Sequence, residues 1–272
     1  PGGNMGDLAV CGTVNDLAMS GAAPHFLSLS LILEEGLPME TLEEVLNAAY
    51  RRAQEAGVLV VCGDTKVVDR GNADGLYINT AGIGILDEGT NTGSDRARPG
   101  DVVIVSGVLG LHGLAVMLTR GEFQFDTPIL SDVAPLNHVV RDLVISEVDV
   151  RCLRDLTRGG LSMALGDIAE HSRVSIEIEE ASLPATEARD AACELLGLDP
   201  LHIACEGTFA AIVPEEHAEK ALGILRARGE SRNAAVVGRV LERGKQALEM
   251  ITSIGSRRVL TLPSGEQMPR IC

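Results

Sequence analysis

The sequence predicts an α/β chain in two parts, and three features carry that prediction. Strand-length aliphatic runs alternate with helical apolar periodicity through the first third of the chain, and a second alternating series fills residues 102–262. Between them, residues 87–100 shift to Gly, Asn, Thr, Ser, Arg and Pro without apolar periodicity, as a linker does. A first domain is therefore expected over residues 1–90, a second over 91–262, and a tail over 263–272. The 272 residues suffice for a sizeable core without disulfides or metals.

Residues 26–33 alternate in the strand manner, and Gly36-Leu37-Pro38 punctuates them. Met39, Leu42, Val45, Leu46, Ala49 and Ala53 then recur at helical spacing between Pro38 and Gly57, which predicts an amphipathic helix over 39–56. A short aliphatic strand at 58–62 is expected to end at Gly63-Asp64-Thr65-Lys66. A longer strand spans 76–86, loosened by Gly82 and Gly84.

The second series begins with a strand at 102–106 and helices at 111–119, near 132–145 and at 160–171, the last opened by glycine. A strand at 174–178, a helix at 186–196 and a strand at 208–213 follow. Pro214-Glu215-Glu216 opens a helix that Gly229 closes, with acids in the first turn where the dipole favours them. Strands at 234–241, 247–252 and 257–262 complete the series, and the aperiodic residues 263–272 form the tail.

With four Phe, two Tyr and no Trp, the core must be aliphatic. Stacking platforms for single-stranded nucleic acid are lacking, and 39 acidic against 23 basic residues give a formal charge of −16 that repels phosphate backbones. Nucleic acid is excluded as a partner on these grounds. No apolar run reaches the roughly 18 residues of a membrane span, and no signal segment is evident, so a soluble, cytoplasmic protein is expected. The chain starts at Pro1 rather than Met, so a preceding segment is expected to lie outside this sequence.

Six cysteines, at positions 11, 62, 152, 193, 205 and 272, form no CxxC pair, which removes zinc-ribbon and thioredoxin readings. Five lie in or beside apolar segments and are expected to be buried small hydrophobes. Cys272 differs because it ends the chain. An exposed terminal thiol can travel between sites as a carrier arm, its pKa raised by the adjacent carboxylate and opposed by Arg270; a fortuitous last residue is the alternative.

Asn15-Asp16, Gly63-Asp64-Thr65-Lys66 and Asp155-Leu156-Thr157-Arg158-Gly159-Gly160 are expected to place carboxylates at turns beside strands or helix starts. Mg²⁺ bridging substrate phosphates takes one or two such carboxylates, and Gly159-Gly160 opening a helix offers backbone donors to anions. Each segment alone reads more readily as a turn or cap than as a ligand set. The Gly107, Gly110 and Gly113 spacing is neither a dinucleotide fingerprint nor a P-loop, and His112 within it reads as structural. His202 and Cys205 lack a second ligand pair for zinc.

These segments resemble the HypE-type hydrogenase maturation factors, the carbamoyl dehydratase family. The resemblance rests on Cys11-Gly12-Thr13-Val14-Asn15-Asp16, Glu34-Glu35-Gly36-Leu37-Pro38, Gly63-Asp64-Thr65-Lys66-Val67-Val68, the 155–160 segment, Cys193-Glu194-Leu195-Leu196-Gly197 and the closing Pro269-Arg270-Ile271-Cys272. It implies a fold like those of aminoimidazole ribonucleotide synthetase and selenophosphate synthetase. The amino domain would pair sheets across a homodimer, the carboxyl domain would be an α+β layer sandwich, and ATP would bind between them. Members also carry a glycine-rich leader and an aspartate-bearing strand ahead of the segment that starts here at Pro1.

The reaction so implied is ATP-dependent dehydration of a thiocarboxamide on Cys272 to a thiocyanate, supplying cyanide for the iron of nickel-iron hydrogenase. A HypF-type carbamoyltransferase would load Cys272, and a HypC–HypD complex would take the cyanide. Cys272 is then the acceptor, and Lys66 and Glu206 the candidates for moving protons from nitrogen. Lys66 as a mere phosphate neutraliser and Glu206 as a structural carboxylate are the alternatives. Asp16, Asp64 and Asp155 are the implied Mg²⁺ and phosphate-site carboxylates, with Asn15, Thr157 and Arg158 supporting ATP. Two other readings compete: an ATP-using enzyme of the same fold, such as selenophosphate synthetase or thiamine-monophosphate kinase, and a nucleotide-regulated carrier or scaffold.

Overall fold

The computed structural model describes residues 1–121 and 128–261. Helix α1 (Met5–Met19) opens the chain, its N-terminus closed by a capping box in which Asn4 accepts from the Gly6 N–H and Asp7 accepts from the Asn4 N–H. Helix α2 (Met39–Ala56) has the predicted limits, and Gly57 closes it at φ 71, a left-handed conformation cheap only for glycine. Val10 and Val14 of α1 pack with Ala49, Ala53 and Ala56 of α2 and with Leu27 and Val58.

Beneath these helices lies a three-stranded sheet of β1 (Ala23–Glu34), β2 (Leu59–Val68) and β3 (Leu76–Ile85), in the order β2-β1-β3. Strand β2 runs parallel to β1, and β3 antiparallel. The expected stop at Gly63-Asp64-Thr65-Lys66 is not observed. Asp64 and Lys66 lie inside β2, opposite Ser30 and Ile32, because the long β1 supplies a backbone ladder along the whole segment and side-chain polarity does not end it.

The second sheet has seven strands in the order β10-β9-β6-β8-β4-β7-β5. These are β4 (Asp101–Val105), β5 (Cys152–Asp155), β6 (Ser175–Glu179), β7 (Phe209–Pro214), β8 (Ala235–Leu241), β9 (Leu248–Ile251) and β10 (Arg257–Val259). All pairs are antiparallel except β6 with β9. The helices α3 (Leu111–Arg120), α4 (Asn137–Val144), α5 (Gly160–Ser172), α6 (Glu187–Leu196) and α7 (Ala218–Arg226) belong to this part.

Alternation along the central strands divides the core between the two faces. Val103, Val105, Ala210 and Ile212 pack with Leu161, Leu165 and Ile168 of α5. Val102, Ile104, Phe209 and Ala211 pack with Val139, Val140 and Leu143 of α4 and Leu222 and Leu225 of α7. Ala18 and Met19 of α1 join this second cluster, which brings the first helix against the second sheet.

Two elements escaped the sequence reading, α1 and β5, and two helix limits differ. Helix α4 starts at Asn137 rather than near 132, because Pro135 disfavours helical geometry at the residue before it, and segment 131–136 carries no regular secondary structure. The helix after Pro214 is a 3₁₀ turn at Glu215–His217 followed by α7. Cys11, Cys152, Cys193 and Cys205 are buried as expected, whereas Cys62 is exposed on β2. The tail over 263–272 lies outside the described residues.

Candidate active site

Three segments far apart in sequence meet where α1 reaches the second sheet: the last turns of α1, the β5–α5 turn, and residues 203–208. Asp155 pairs with Phe209 across β5 and β7, and the Leu156 N–H donates to the Thr208 carbonyl at 3.1 Å while the Cys205 N–H donates to the Leu156 carbonyl at 2.8 Å. These bonds fix the 203–208 loop beside the turn. Gly159 and Gly160 both have positive φ, and a Cβ on Gly160 would lie 2.6 Å from the Leu201 carbonyl oxygen. Only glycine lets α5 begin this close to the loop.

Asp16, Asp155 and Glu206 form the acidic centre of the arrangement. Glu206 is buried, and its pKa is pushed up to about 8, first by burial and then by the negative charges of Asp132, Asp155 and Asp16. Asp16, on the outer side of α1, is also raised, by desolvation first and Asp155 second, with Arg154 opposing. The cluster thus disfavours further negative charge and welcomes a proton or a cation. Cys205 is buried with the Gly110 N–H donating to its Sγ at 3.0 Å, and its pKa is raised by burial, so it reads as an inert core thiol.

Asn15 lies within this group, but its amide is turned inward. Nδ2 donates to the Ala134 carbonyl at 3.1 Å and to the Glu206 carbonyl at 3.3 Å, and Oδ1 accepts the Leu136 N–H at 2.8 Å. Thr157 is half-buried and Arg158 exposed in the turn before α5. Asn15 and Asp16 stand in helix α1 rather than at a turn. Asp64 and Lys66 stand apart on exposed β2 and are not among the charges that shift Asp16 or Glu206. Among the described residues no three His, Cys, Asp or Glu side chains are placed to hold a metal ion. Cys272 lies outside the described residues.

Asp132 was not anticipated as part of the site. Its carboxylate accepts the Glu206 N–H, the Gly207 N–H and the Thr208 hydroxyl. The only signal in the sequence was an acid ahead of a helical pattern, which helix capping explains equally well. His112, read as structural, is buried with Nδ1 2.8 Å from the Ser131 hydroxyl.

Residues 1–86 match the family described as "AIR synthase related protein, N-terminal domain", and residues 98–251 match its C-terminal domain. A carbamoyl dehydratase HypE from Rhizobium leguminosarum bv. viciae is 48% identical over 273 residues, covering 100% of this chain and 78% of that protein. A crystal structure of the hydrogenase maturation protein HypE in complex with ATP superposes with a TM-score of 0.96 at 45% identity, covering 100% of this chain and 82% of the other. A HypE–HypF complex gives 0.93 at 46% identity, covering 97% of this chain and 86% of the matched one.

Proposed function

Because this chain belongs to the HypE family of carbamoyl dehydratases, we propose that it uses ATP to dehydrate a thiocarboxamide on its own Cys272 to a thiocyanate, the source of the cyanide ligand on the iron of a nickel-iron hydrogenase. One observation carries the reading: a buried carboxyl, Glu206, tuned to about pH 8 among acids beside a glycine-opened helix start. That is the environment of a group that moves protons next to a phosphate site.

The carbamoyl oxygen attacks the γ-phosphorus of ATP, the bond from that phosphorus to the β,γ-bridging oxygen breaks, and ADP leaves as nitrogen gives up one proton. The second N–H proton then leaves, the carbon–nitrogen bond becomes triple, and the carbon–oxygen bond breaks to release phosphate. Two protons thus leave nitrogen, one of which the phosphate carries at neutral pH. Ionised Glu206 is the acceptor we assign to nitrogen. Lys66 stands on the β2 surface, so its part in proton transfer depends on a second copy of the chain.

Asp155 lies close enough to raise Asp16, and a like-charged pair of oxygen ligands suits Mg²⁺ that also takes phosphate oxygens. Bound there, Mg²⁺ would neutralise charge developing on the transferring phosphoryl group. The backbone donors at Gly159-Gly160, with Thr157 and Arg158 adjacent, suit the phosphates themselves.

We assign the homodimer contact to β2 and the outer face of β3, where Leu59, Val61, Val67, Ile83 and Ile85 are all more than half exposed. The HypE–HypF complex of a relative supports a HypF-type partner, which we take as the carbamoyl donor to Cys272. As the cyanide acceptor we propose a HypC–HypD complex. Among the described residues no helix is long and apolar enough to cross a membrane, and we place the reaction in the cytoplasm.

The test is intact-mass measurement of the full-length protein incubated with carbamoyl phosphate, ATP and a HypF-type carbamoyltransferase. Wild type should show a carbamoyl adduct that then loses one water. Wild type without an adduct, or a Cys272→Ala protein that still acquires it, would sink the proposal.

A further inference from the structure

Glu206 enters the acidic centre from a loop with no helix or strand of its own, so its position must be set by other groups. Its N–H donates to Oδ1 of Asp132 at 3.1 Å, while the Gly207 N–H and the Thr208 hydroxyl donate to Oδ2 at 3.1 and 3.0 Å. Its carbonyl accepts from Asn15 Nδ2 at 3.3 Å. Its carbonyl also accepts the Ala134 N–H at 3.5 Å, so both backbone polar groups of Glu206 are held, the N–H by the Asp132 side chain.

Asp132 is itself braced on both sides. The Ser131 N–H donates to the Pro1 carbonyl at 2.9 Å, and the Ser131 hydroxyl accepts the Val133 N–H at 3.1 Å. Nη2 of Arg52 donates to the Val133 carbonyl at 3.1 Å. Three donors from successive residues converge on the one carboxylate, so the position calls for an acid. An amide would offer one accepting oxygen and turn its NH₂ toward donors.

We infer that Asp132 is a positioning residue for the dehydration, clamping the backbone of residues 206–208 so that Glu206 faces the reacting nitrogen; this rests on the assignment of Glu206 as the proton acceptor. Asp132 is also the foremost of the three carboxylates that raise the proton affinity of Glu206, ahead of Asp155 and Asp16. With its oxygens occupied by the loop, Asp132 acts on the chemistry through Glu206.

The experiment is single-turnover dehydration of the carbamoylated full-length protein, followed by intact mass, in Glu206→Gln, Asp132→Asn and the double variant, with ATP affinity measured alongside. Glu206→Gln should slow the step by about 10²-fold or more. Asp132→Asn should slow it by about tenfold or more with ATP affinity kept within about threefold, and the double variant should be no slower than Glu206→Gln alone, since residues acting as a unit are not additive. A double variant slowed by the product of the two single effects overturns the inference and leaves the Glu206 assignment standing. A Glu206→Gln protein at the wild-type rate removes that assignment and the inference with it. Should Asp132→Asn fail to fold, Thr208→Val removes one of the three bonds at nearly constant shape. It should slow the wild-type background and leave Glu206→Gln unchanged; equal slowing in both backgrounds overturns the inference.

Discussion

The side-chain amide of Asn15 donates to the carbonyl of Glu206 at 3.3 Å across 191 positions of sequence, tying the first helix to the loop that enters the acidic centre. The same amide satisfies the Ala134 carbonyl and the Leu136 N–H, and the Glu206 carbonyl also accepts the Ala134 N–H at 3.5 Å. Asn15→Ala should therefore cost about 2–3 kcal/mol of stability, since each orphaned buried group loses its partner without water to replace it. Chemical denaturation would measure this, and a loss below about 0.5 kcal/mol would contradict the role given to Asn15.

Gly160→Ala tests the close approach of α5 to the 203–208 loop. The residue has φ +58, and the added Cβ would press on the Leu201 and Ile203 carbonyls at 2.6 and 2.8 Å. Strain of about 1–3 kcal/mol is expected, with a lowered Tm and weakened ATP binding as the helix start moves from the phosphates. Unchanged values of both would show that the loop yields freely.

The exposed face of β2 predicts the oligomeric state. Leu59 and Val61 are 63% and 59% exposed on an edge strand whose inner side alone is paired, with β1. An unpaired edge bearing apolar side chains invites a second strand. Val61→Glu should convert a dimer into a monomer in light scattering, because a buried unpaired carboxylate is costly. A Val61→Glu protein with the same mass as wild type would overturn this assignment of the interface.

Local patterns in the sequence explain what could be read from it. Helix α2 was bounded correctly because Pro38 and Gly57 bracket a 3.6-residue periodicity, and β4 because it is an unbroken aliphatic run. Helix α1 was invisible: it is buried or half-buried around much of its circumference, so its apolar residues show little helical periodicity. The 155–160 turn was legible from its glycines, whereas the position of Asp64 was not, since a parallel backbone ladder with β1 decides it. Asp132 was illegible for the same reason, its partners being 74 to 76 positions away.

Glu206 predicts opposite pH responses of stability and rate. Its folded pKa of about 8 stands above the ordinary value of 4.5, chiefly through burial, so the folded chain holds a proton that the unfolded chain releases. The stability contributed by the protonated form is fully present below pH 4.5 and is lost as pH rises through 8, at about 1.4 kcal/mol per pH unit between those limits. Glu206→Gln carries no such dependence, and its Tm relative to wild type should rise between pH 5 and pH 8. Proton abstraction needs the ionised form, so the dehydration rate of wild type should climb with pH and then level off as Glu206 ionises, the limb absent in the variant. A Tm difference that does not change across this range would mean that the carboxyl is solvated and ordinary. A pH-independent wild-type rate would mean that the proton leaves nitrogen by another group, with Lys66 next to be tested.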